Sequence, residues 1–300
     1  MLQTTLANTL QLHQLAISQL AIVPDMSRLS RLTENDRVEV LAFLAVRPVH
    51  TVVMTSFIVD NGLESALNRG KFFGFRGPNG KLEGVALIGH STLVEARTDE
   101  ALRALAVSAR KAEMPIHLVM SSGNAAERFW NYLALGASPR LTCREALFEA
   151  AFPFAVKKRN AGLRPASMDE ILPVAEAQAE VAFMECGIDP MLKDREGFLK
   201  RVARRIEQER IFVVFDGDNL VFKADIIAET SECIYLEGVY VGEEYRGQGI
   251  GSTCLSNLTL DLLGRTSNIC MLSNVDFESA HKSYAKAGFK KTDECVTLFV

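Results

Sequence analysis

The chain has 300 residues, 48% of them hydrophobic, and its 33 basic and 37 acidic residues give a formal net charge of −4. This balance, with a sequence pI near 5.8, argues against a general nucleic-acid-binding surface. Because no apolar stretch reaches the length of a membrane span and the N-terminal segment lacks the pattern of a signal peptide, we expect a cytoplasmic protein that does not contact membranes.

The positions of the cysteines and histidines favour neither disulfides nor metal binding. The six cysteines contain no CxxC pair, and the five histidines are scattered without the spacing of metal ligands. We therefore expect reduced thiols and no metal site.

The length favours two domains preceded by a short N-terminal segment. Residues 1–25 place leucines among Gln, Thr and Asn. This pattern fits a helix that packs on the domains or on another subunit of a homo-oligomer, and it fits a partly ordered tail equally well. The polar run KKRNAG within 153–162 predicts a boundary between domains at 26–155 and 160–300.

Both halves of the chain alternate strand-like and helix-like patterns, as α/β domains do. In the first half, the patterns, the turn at 77–80 and the helix cap Thr33 predict strands at 29–32, 72–75, 82–89 and 116–120, and helices at 34–46, 99–111 and 125–134. The second half repeats this order, with strands at 163–165, 211–215, 220–227, 234–241 and 269–272, helices at 168–184 and 195–208, and a hairpin turn at 216–219.

The segment VGEEYRGQGIGS at 241–252 lies between the strand at 234–241 and a helix-like run. Glycines let the backbone approach a ligand closely, and the free N–H groups of the first helical turn attract anions. Arg246 adds a charged donor. A dinucleotide fingerprint is not met, because Ser252 stands three positions after Gly249, and the turn has no lysine for a nucleotide P-loop. The glycine turn therefore predicts a phosphate site, with an ordinary strand-to-helix turn as the alternative.

A second motif follows the strand at 269–272. In SNVDFESAHKSYAKAGF, residues Ala280, Tyr284 and Ala287 share one helical face, and Gly288 can end the helix. Taken together, RxxGxG from Arg246 and YxKxGF from Tyr284 resemble the motifs of the GCN5-related N-acetyltransferase (GNAT) superfamily over residues 162–300.

This resemblance implies an α/β fold, with a mostly antiparallel mixed sheet flanked by helices, and an acetyl-CoA site. The first half repeats the order of elements, but 91–99 reads STLVEARTD and lacks the glycine motif. We therefore expect two tandem GNAT-like domains, of which the first is a degenerate copy. The alternative is an unrelated α/β domain in the first half.

The resemblance also implies roles for individual residues. The strand residues Val239 and Val241 would hold the pantetheine arm, Tyr284 would be the general acid, and Glu237 stands where some members of the family place a base. Glu237 can equally be a solvated or paired carboxylate. The pyrophosphate would be bound by Arg246, Gly247, Gln248, Gly249, Ile250, Gly251 and Ser252.

One position departs from the family pattern. Many members have an asparagine seven residues before the tyrosine, where this chain has Phe277; either Asn274 is its substitute or the contact is absent. The predicted function is acetyl transfer from acetyl-CoA to a primary amine of a small molecule or a protein. The alternative is a non-catalytic CoA-binding regulatory or scaffolding protein, which Phe277 and the incomplete first half favour.

Overall fold

The computed structural model describes residues 23–156, 158–160 and 162–300. The predicted helix or tail at 1–25 therefore lies almost wholly outside the described residues.

In the described part of the first half, six strands alternate with helices, and the strands at 91–96 and 141–151 were not predicted. The strands are β1 (Leu29–Arg31), β2 (Gly70–Arg76), β3 (Leu82–Gly89), β4 (Ser91–Ala96), β5 (Leu118–Ser122) and β6 (Leu141–Ala151); the helices are α1 (Arg37–Leu44), α2 (Val52–Asn61), α3 (Asp99–Ala109) and α4 (Ala125–Ala134). Thr33 caps the first helical turn through a capping box with Asp36, as its side chain predicts.

The second half repeats the series. Its strands are β7 (Arg164–Pro165), β8 (Ile211–Asp216), β9 (Asn219–Glu229), β10 (Ile234–Val241), β11 (Asn268–Asn274) and β12 (Lys290–Phe299); its helices are α5 (Ile171–Cys186), α6 (Pro190–Lys193), α7 (Arg195–Glu207), α8 (Ile250–Leu262) and α9 (Glu278–Lys286). The predicted hairpin turn joins β8 to β9, with Gly217 at φ +57°.

The twelve described strands form one mixed sheet in the order β1-β2-β3-β4-β5-β12-β6-β11-β10-β9-β8-β7. Only β4–β5 and β10–β11 are parallel among the neighbouring pairs of this sheet. Side chains alternate between its faces: on β8, Ile211 and Val213 pack beneath α5 and α7, whereas Phe212 and Val214 face the cluster that α8 covers. The predicted α/β class with a mostly antiparallel mixed sheet is confirmed.

The last strands of the two halves are exchanged. Strand β12, which ends the second half, pairs with β5 of the first half, and β6 of the first half pairs with β11 of the second. The two exchanged strands pair with each other along their length at the centre of the sheet, from Leu141 opposite Phe299 to Glu149 opposite Lys290. Residues 141–151 therefore border the second half's parallel pair although they precede the predicted domain boundary.

Helix α2 also connects the halves, and the sequence patterns did not predict it. Val52 packs in one apolar cluster with Tyr235 and Cys270 of the second half. The Ser56 hydroxyl accepts the Glu229 N–H at 3.2 Å, and Asp60 pairs with Arg210 at 2.8 Å. The exchanged strands and this helix make the two halves one packed unit.

Candidate active site

Strands β10 and β11 form a cleft because they pair only at one end. Their parallel register covers Ile234–Leu236 opposite Ile269–Met271, after which β11 follows β6 and β10 follows β9. Between the diverging ends lies a cavity of about 320 Å³. Its lining collects residues from both predicted motifs: Leu236, Glu237, Gly238, Val239, Tyr240, Val241, Arg246, Phe277 and Tyr284, together with Val181, Met184 and Glu185 of α5.

A β-bulge after Glu237 sets which side chains face the helix α8. Gly238 has φ +61°, and the register with β9 shifts between Glu237 and Tyr240. Leu236, Val239 and Val241 consequently contact the same apolar cluster beneath α8. Strict alternation along β10 would put Glu237 on the face of Val239 and Val241 and opposite Leu236, but the bulge inserts one residue, so Leu236 shares the face of the two valines.

The bulge is held by a buried ion pair. The Lys223 ammonium, fully buried, lies 2.6 Å from an Asp225 carboxylate oxygen and donates to the Gly238 carbonyl at 3.2 Å and to the Gln178 side-chain oxygen at 2.5 Å. Arg205 completes the pairing of Asp225 at 2.9 Å. A side chain at 238 would collide with Gln178 and Lys223, so only glycine fits there.

The glycine turn after β10 points its backbone into open space. Gly247 and Gly249 have φ of +76° and +78°, and a Cβ at either position would meet no atom within 4 Å. Helix α8 begins directly after them, at Ile250. The first N–H groups of a helix have no intrahelical partner and carry the positive end of its dipole. The turn can thus hold an anion against exposed backbone donors.

Arg246 lies between this turn and the cavity. Its Nε donates to the Val241 carbonyl at 2.9 Å, and a terminal nitrogen pairs with Glu180 of α5 at 3.2 Å. Both side chains of this pair are about half exposed, at 48% and 46%. A pair of that kind contributes at most about 1 kcal/mol, so an incoming phosphate can displace Glu180.

The other polar side chains of the turn make local contacts. Gln248 Nε2 donates to the Glu244 carbonyl at 2.9 Å, and the Ser252 hydroxyl donates to the Gly249 carbonyl at 3.0 Å. These bonds fix the shape of the turn and leave its backbone donors outward.

Tyr284 projects from α9 into the cavity beside the exchanged strand β6. Its ring packs edge-on against Phe148, with centroids 5.4 Å apart, and its hydroxyl bonds Ser273. Burial raises the pKa of Tyr284 to about 12. The phenol is therefore protonated at neutral pH and can act as a proton donor.

Two carboxyl groups, Glu237 and Glu185, line the cavity, and a third, Glu145, lies close enough to repel Glu185; the sequence motifs pointed only to Glu237. Burial raises the pKa of Glu237. Desolvation by the surrounding protein, followed by repulsion from Glu237 and Glu145, raises the pKa of Glu185 to about 8. Burial raises the pKa of Glu145 to about 7, against a hydrogen bond from Thr297 at 2.5 Å. The ionised forms of these carboxyl groups can therefore accept a proton near neutral pH.

Neither missed carboxylate belongs to a recognisable motif. Glu185 directly follows the predicted helix at 168–184, in the last turn of α5. Glu145 is brought in by the strand exchange, for which local sequence gives no signal.

The side chain of Asn274, another predicted cofactor-binding residue, makes a local contact. Its Oδ1 accepts the Asp276 N–H at 3.0 Å, and its carbonyl lies 3.0 Å from His281 Nε2. Phe277 lines the cavity instead. The substitution of Asn274 for the family's asparagine stays a prediction.

The corresponding region of the first half is filled by the protein itself. Thr98 caps α3, and the carboxylate of Asp99 in its first turn accepts the Tyr132 hydroxyl at 3.0 Å and pairs with Arg103 at 2.5 Å. The Ser121 hydroxyl donates to the Val94 carbonyl at 2.7 Å, across the β4–β5 cleft. A built-in carboxylate thus lies where the second half presents a glycine turn.

Among residues 23–156, 158–160 and 162–300, no helix is long and apolar enough to cross a membrane. Over the same ranges, no group of three or more His, Cys, Asp or Glu side chains is placed to hold a metal ion.

A family model matches part of the second half. Residues 207–291 match the family model described as an acetyltransferase (GNAT) domain. No curated protein matches the sequence.

Solved structures match nearly the whole chain at low identity. A GNAT-family acetyltransferase from Colwellia psychrerythraea is 14% identical with a TM-score of 0.57, a Drosophila protein is 11% identical with a TM-score of 0.66, and a tandem GNAT protein from the clavulanic acid biosynthesis pathway is 14% identical with a TM-score of 0.54. Each match covers 90% of this chain and 98% of the other. At these identities the likeness concerns the fold, and it extends over both halves.

Proposed function

Because the chain has the GNAT fold and carries a GNAT acetyltransferase domain at 207–291, we propose that it transfers an acetyl group from acetyl-CoA to a primary amine of a small molecule or a protein. The observation that carries this proposal is the β10–β11 cavity. It brings a protonated phenol, a proton-accepting carboxyl group and the arginine that precedes the glycine turn to one place.

The cofactor's pyrophosphate is assigned to the turn. The N–H groups at the start of α8 and the guanidinium of Arg246 supply the donors, with Gly247 and Gly249 leaving room for the anion. The edge of β10 at Val239 and Val241 lies beyond the point where β11 leaves β10 and can bond the pantetheine arm, with the Val241 carbonyl already accepting from Arg246 Nε. Acetyl-CoA itself supplies the activated thioester.

The carboxyl cluster is assigned to the acceptor amine. An ammonium group must lose a proton before its nitrogen can attack, and Glu237 or Glu185 can take that proton directly or through water. Three acidic groups also favour a cationic acceptor over a neutral or anionic one. The backbone N–H groups of β10 would stabilise the developing oxyanion, and Tyr284 would protonate the leaving thiolate.

A thiol-release assay over a panel of primary amines tests the proposal. At least one cationic amine should release CoA, and Glu237→Gln or Glu185→Gln should lower kcat by about 10²–10⁴ at unchanged acetyl-CoA affinity. Asp216→Asn, in the β8–β9 turn, is the matched control and should stay within about twofold. If both Glu237→Gln and Glu185→Gln turn over at the wild-type rate, neither carboxylate is the base.

A CoA-binding protein without catalysis is the second candidate function. One observation favours it: Phe277 lines the cavity where the family often has an amide. Acetyl-CoA binding with no thiol release across the whole amine panel would select this alternative.

A further inference from the structure

A second cavity, of about 260 Å³, lies where the two halves meet and is surrounded mainly by cations. We call it the cationic cavity. Its charged and titratable lining residues are Arg69, His90 and His117 from the first half and Lys193, Asp194 and Arg201 from the second. No catalytic role has been assigned to any of them.

The cations of this cavity have few partners within the protein. Within residues 23–156, 158–160 and 162–300, no carboxylate lies within salt-bridge distance of Arg69 or Lys193. Asp194 is the one acidic lining residue, and its carboxylate caps α7 through the Gly197 N–H at 3.0 Å and lies 3.6 Å from Arg201. The cavity thus holds more positive charge than its own carboxylate can balance.

The histidines strengthen this charge pattern. The rings of His90 and His117 stack with centroids 5.0 Å apart and an interplanar angle of 8°. Burial, followed by repulsion from Arg69, lowers the pKa of His90 to about 4. Burial, followed by repulsion from the nearby Arg201, also lowers the pKa of Arg69. The side chains are thus held together against mutual repulsion, which a bound anion would relieve.

The backbone at Arg69 is specialised as well. Arg69 has φ +52° and ψ +36°, a left-handed conformation that non-glycine residues rarely adopt. It is fixed by its neighbours, because the His90 N–H donates to the Arg69 carbonyl at 3.0 Å and a side chain at Gly89 would collide with that backbone. Arg69 ends the short helical turn Ala66–Asn68 in this conformation, which fixes where its side chain leaves the backbone.

From these observations we propose that the cationic cavity binds an anionic small molecule through a phosphate or carboxylate group. The site is separate from the acetyl-CoA cavity, because Ala182 and Cys186 of α5 border the cationic cavity and Val181, Met184 and Glu185 border the other. Forked guanidinium and ammonium donors from two parts of the chain are the groups that recognise such anions. The proposal does not rest on acetyl transfer.

Calorimetric titration of the full chain with inorganic phosphate and, separately, with citrate tests this site at low ionic strength. Wild type should bind at least one of the two, and Arg69→Asn with Lys193→Gln should weaken that binding by about tenfold or more. Asparagine is chosen at 69 because it tolerates the left-handed backbone. Preference for phosphate or for citrate identifies the anionic group of the ligand.

The matched control removes the same number of charges outside the cavity. Lys200→Gln with Arg204→Asn, two exposed cations of α7, should change the affinity less than about threefold. The single variant Lys193→Gln, whose side chain is exposed, gives a second readout if the double variant unfolds. No binding of either anion to wild type would overturn the proposal. So would binding that Arg246→Ala weakens and the cavity variants do not, because the anion would then lie on the glycine turn.

Discussion

Replacing Tyr284 with phenylalanine tests the proposed proton donor with little change to the fold. The ring packs against Phe148 and would keep that contact. The lost hydroxyl bonds Ser273, so the free energy of unfolding should fall by about 1 kcal/mol. Because burial raises the pKa of Tyr284 to about 12, the wild-type phenol is protonated throughout the neutral range and its proton is available for the thiolate.

Loss of a general acid costs about 10²–10⁴ in rate, or roughly 3–5 kcal/mol in the activation free energy. We therefore expect Tyr284→Phe to lower kcat by that factor in a thiol-release assay, with the acetyl-CoA dissociation constant changed by less than about twofold. Tyr132→Phe, at the corresponding helix of the first half, is the matched control. It should lose stability with its bond to Asp99 and keep its kcat. A kcat for Tyr284→Phe within about threefold of wild type would refute the assignment.

Three further changes test the surroundings of the site. Glu180→Gln removes the carboxylate that competes with the pyrophosphate for Arg246. It should tighten acetyl-CoA binding up to about fivefold by calorimetry, which corresponds to at most about 1 kcal/mol; weaker binding would contradict this. Lys223→Met leaves Asp225 short of one buried partner and should cost about 3–5 kcal/mol in urea unfolding, whereas Lys200→Met on the surface should cost under about 0.5 kcal/mol; equal losses would contradict the buried pairing. Glu145→Gln removes a group whose pKa rises on folding from 4.5 to about 7. The folded wild type therefore binds more protons than the unfolded chain in that window, so its stability falls as pH rises through it; Glu145→Gln should flatten this fall in urea titrations at several pH values, and an unchanged slope would contradict it.

Local chemistry explains which features the sequence could predict. The glycine turn was predictable because a backbone φ above zero, as at Gly247 and Gly249, favours glycine. The helix that follows the turn was predictable from the helical spacing of its apolar residues. Thr33 and the hairpin at 216–219 were predictable for the same reason, since caps and turns depend on a few neighbouring residues.

Long-range pairing explains what the sequence could not predict. Apolar and polar residues alternate only partly along β6 and β12. No local pattern in either strand indicates that it pairs with a strand of the other half. Glu145 reaches the second half's carboxyl cluster only through that exchange. Helix α2 reads VVMTSFIVDN, rich in β-branched residues, and is helical because it packs between the halves. The bulge at Gly238 depends on Lys223 and Gln178, which lie on other elements.

We propose that, of the two halves, only the second binds acetyl-CoA. Calorimetric titration of the full chain with acetyl-CoA tests it most directly, because the stoichiometry counts the sites. We predict one acetyl-CoA per chain, with binding abolished by Gly249→Glu, which puts a carboxylate into the proposed pyrophosphate position. Two molecules per chain, no binding at all, or binding that Gly249→Glu leaves unchanged would contradict the account.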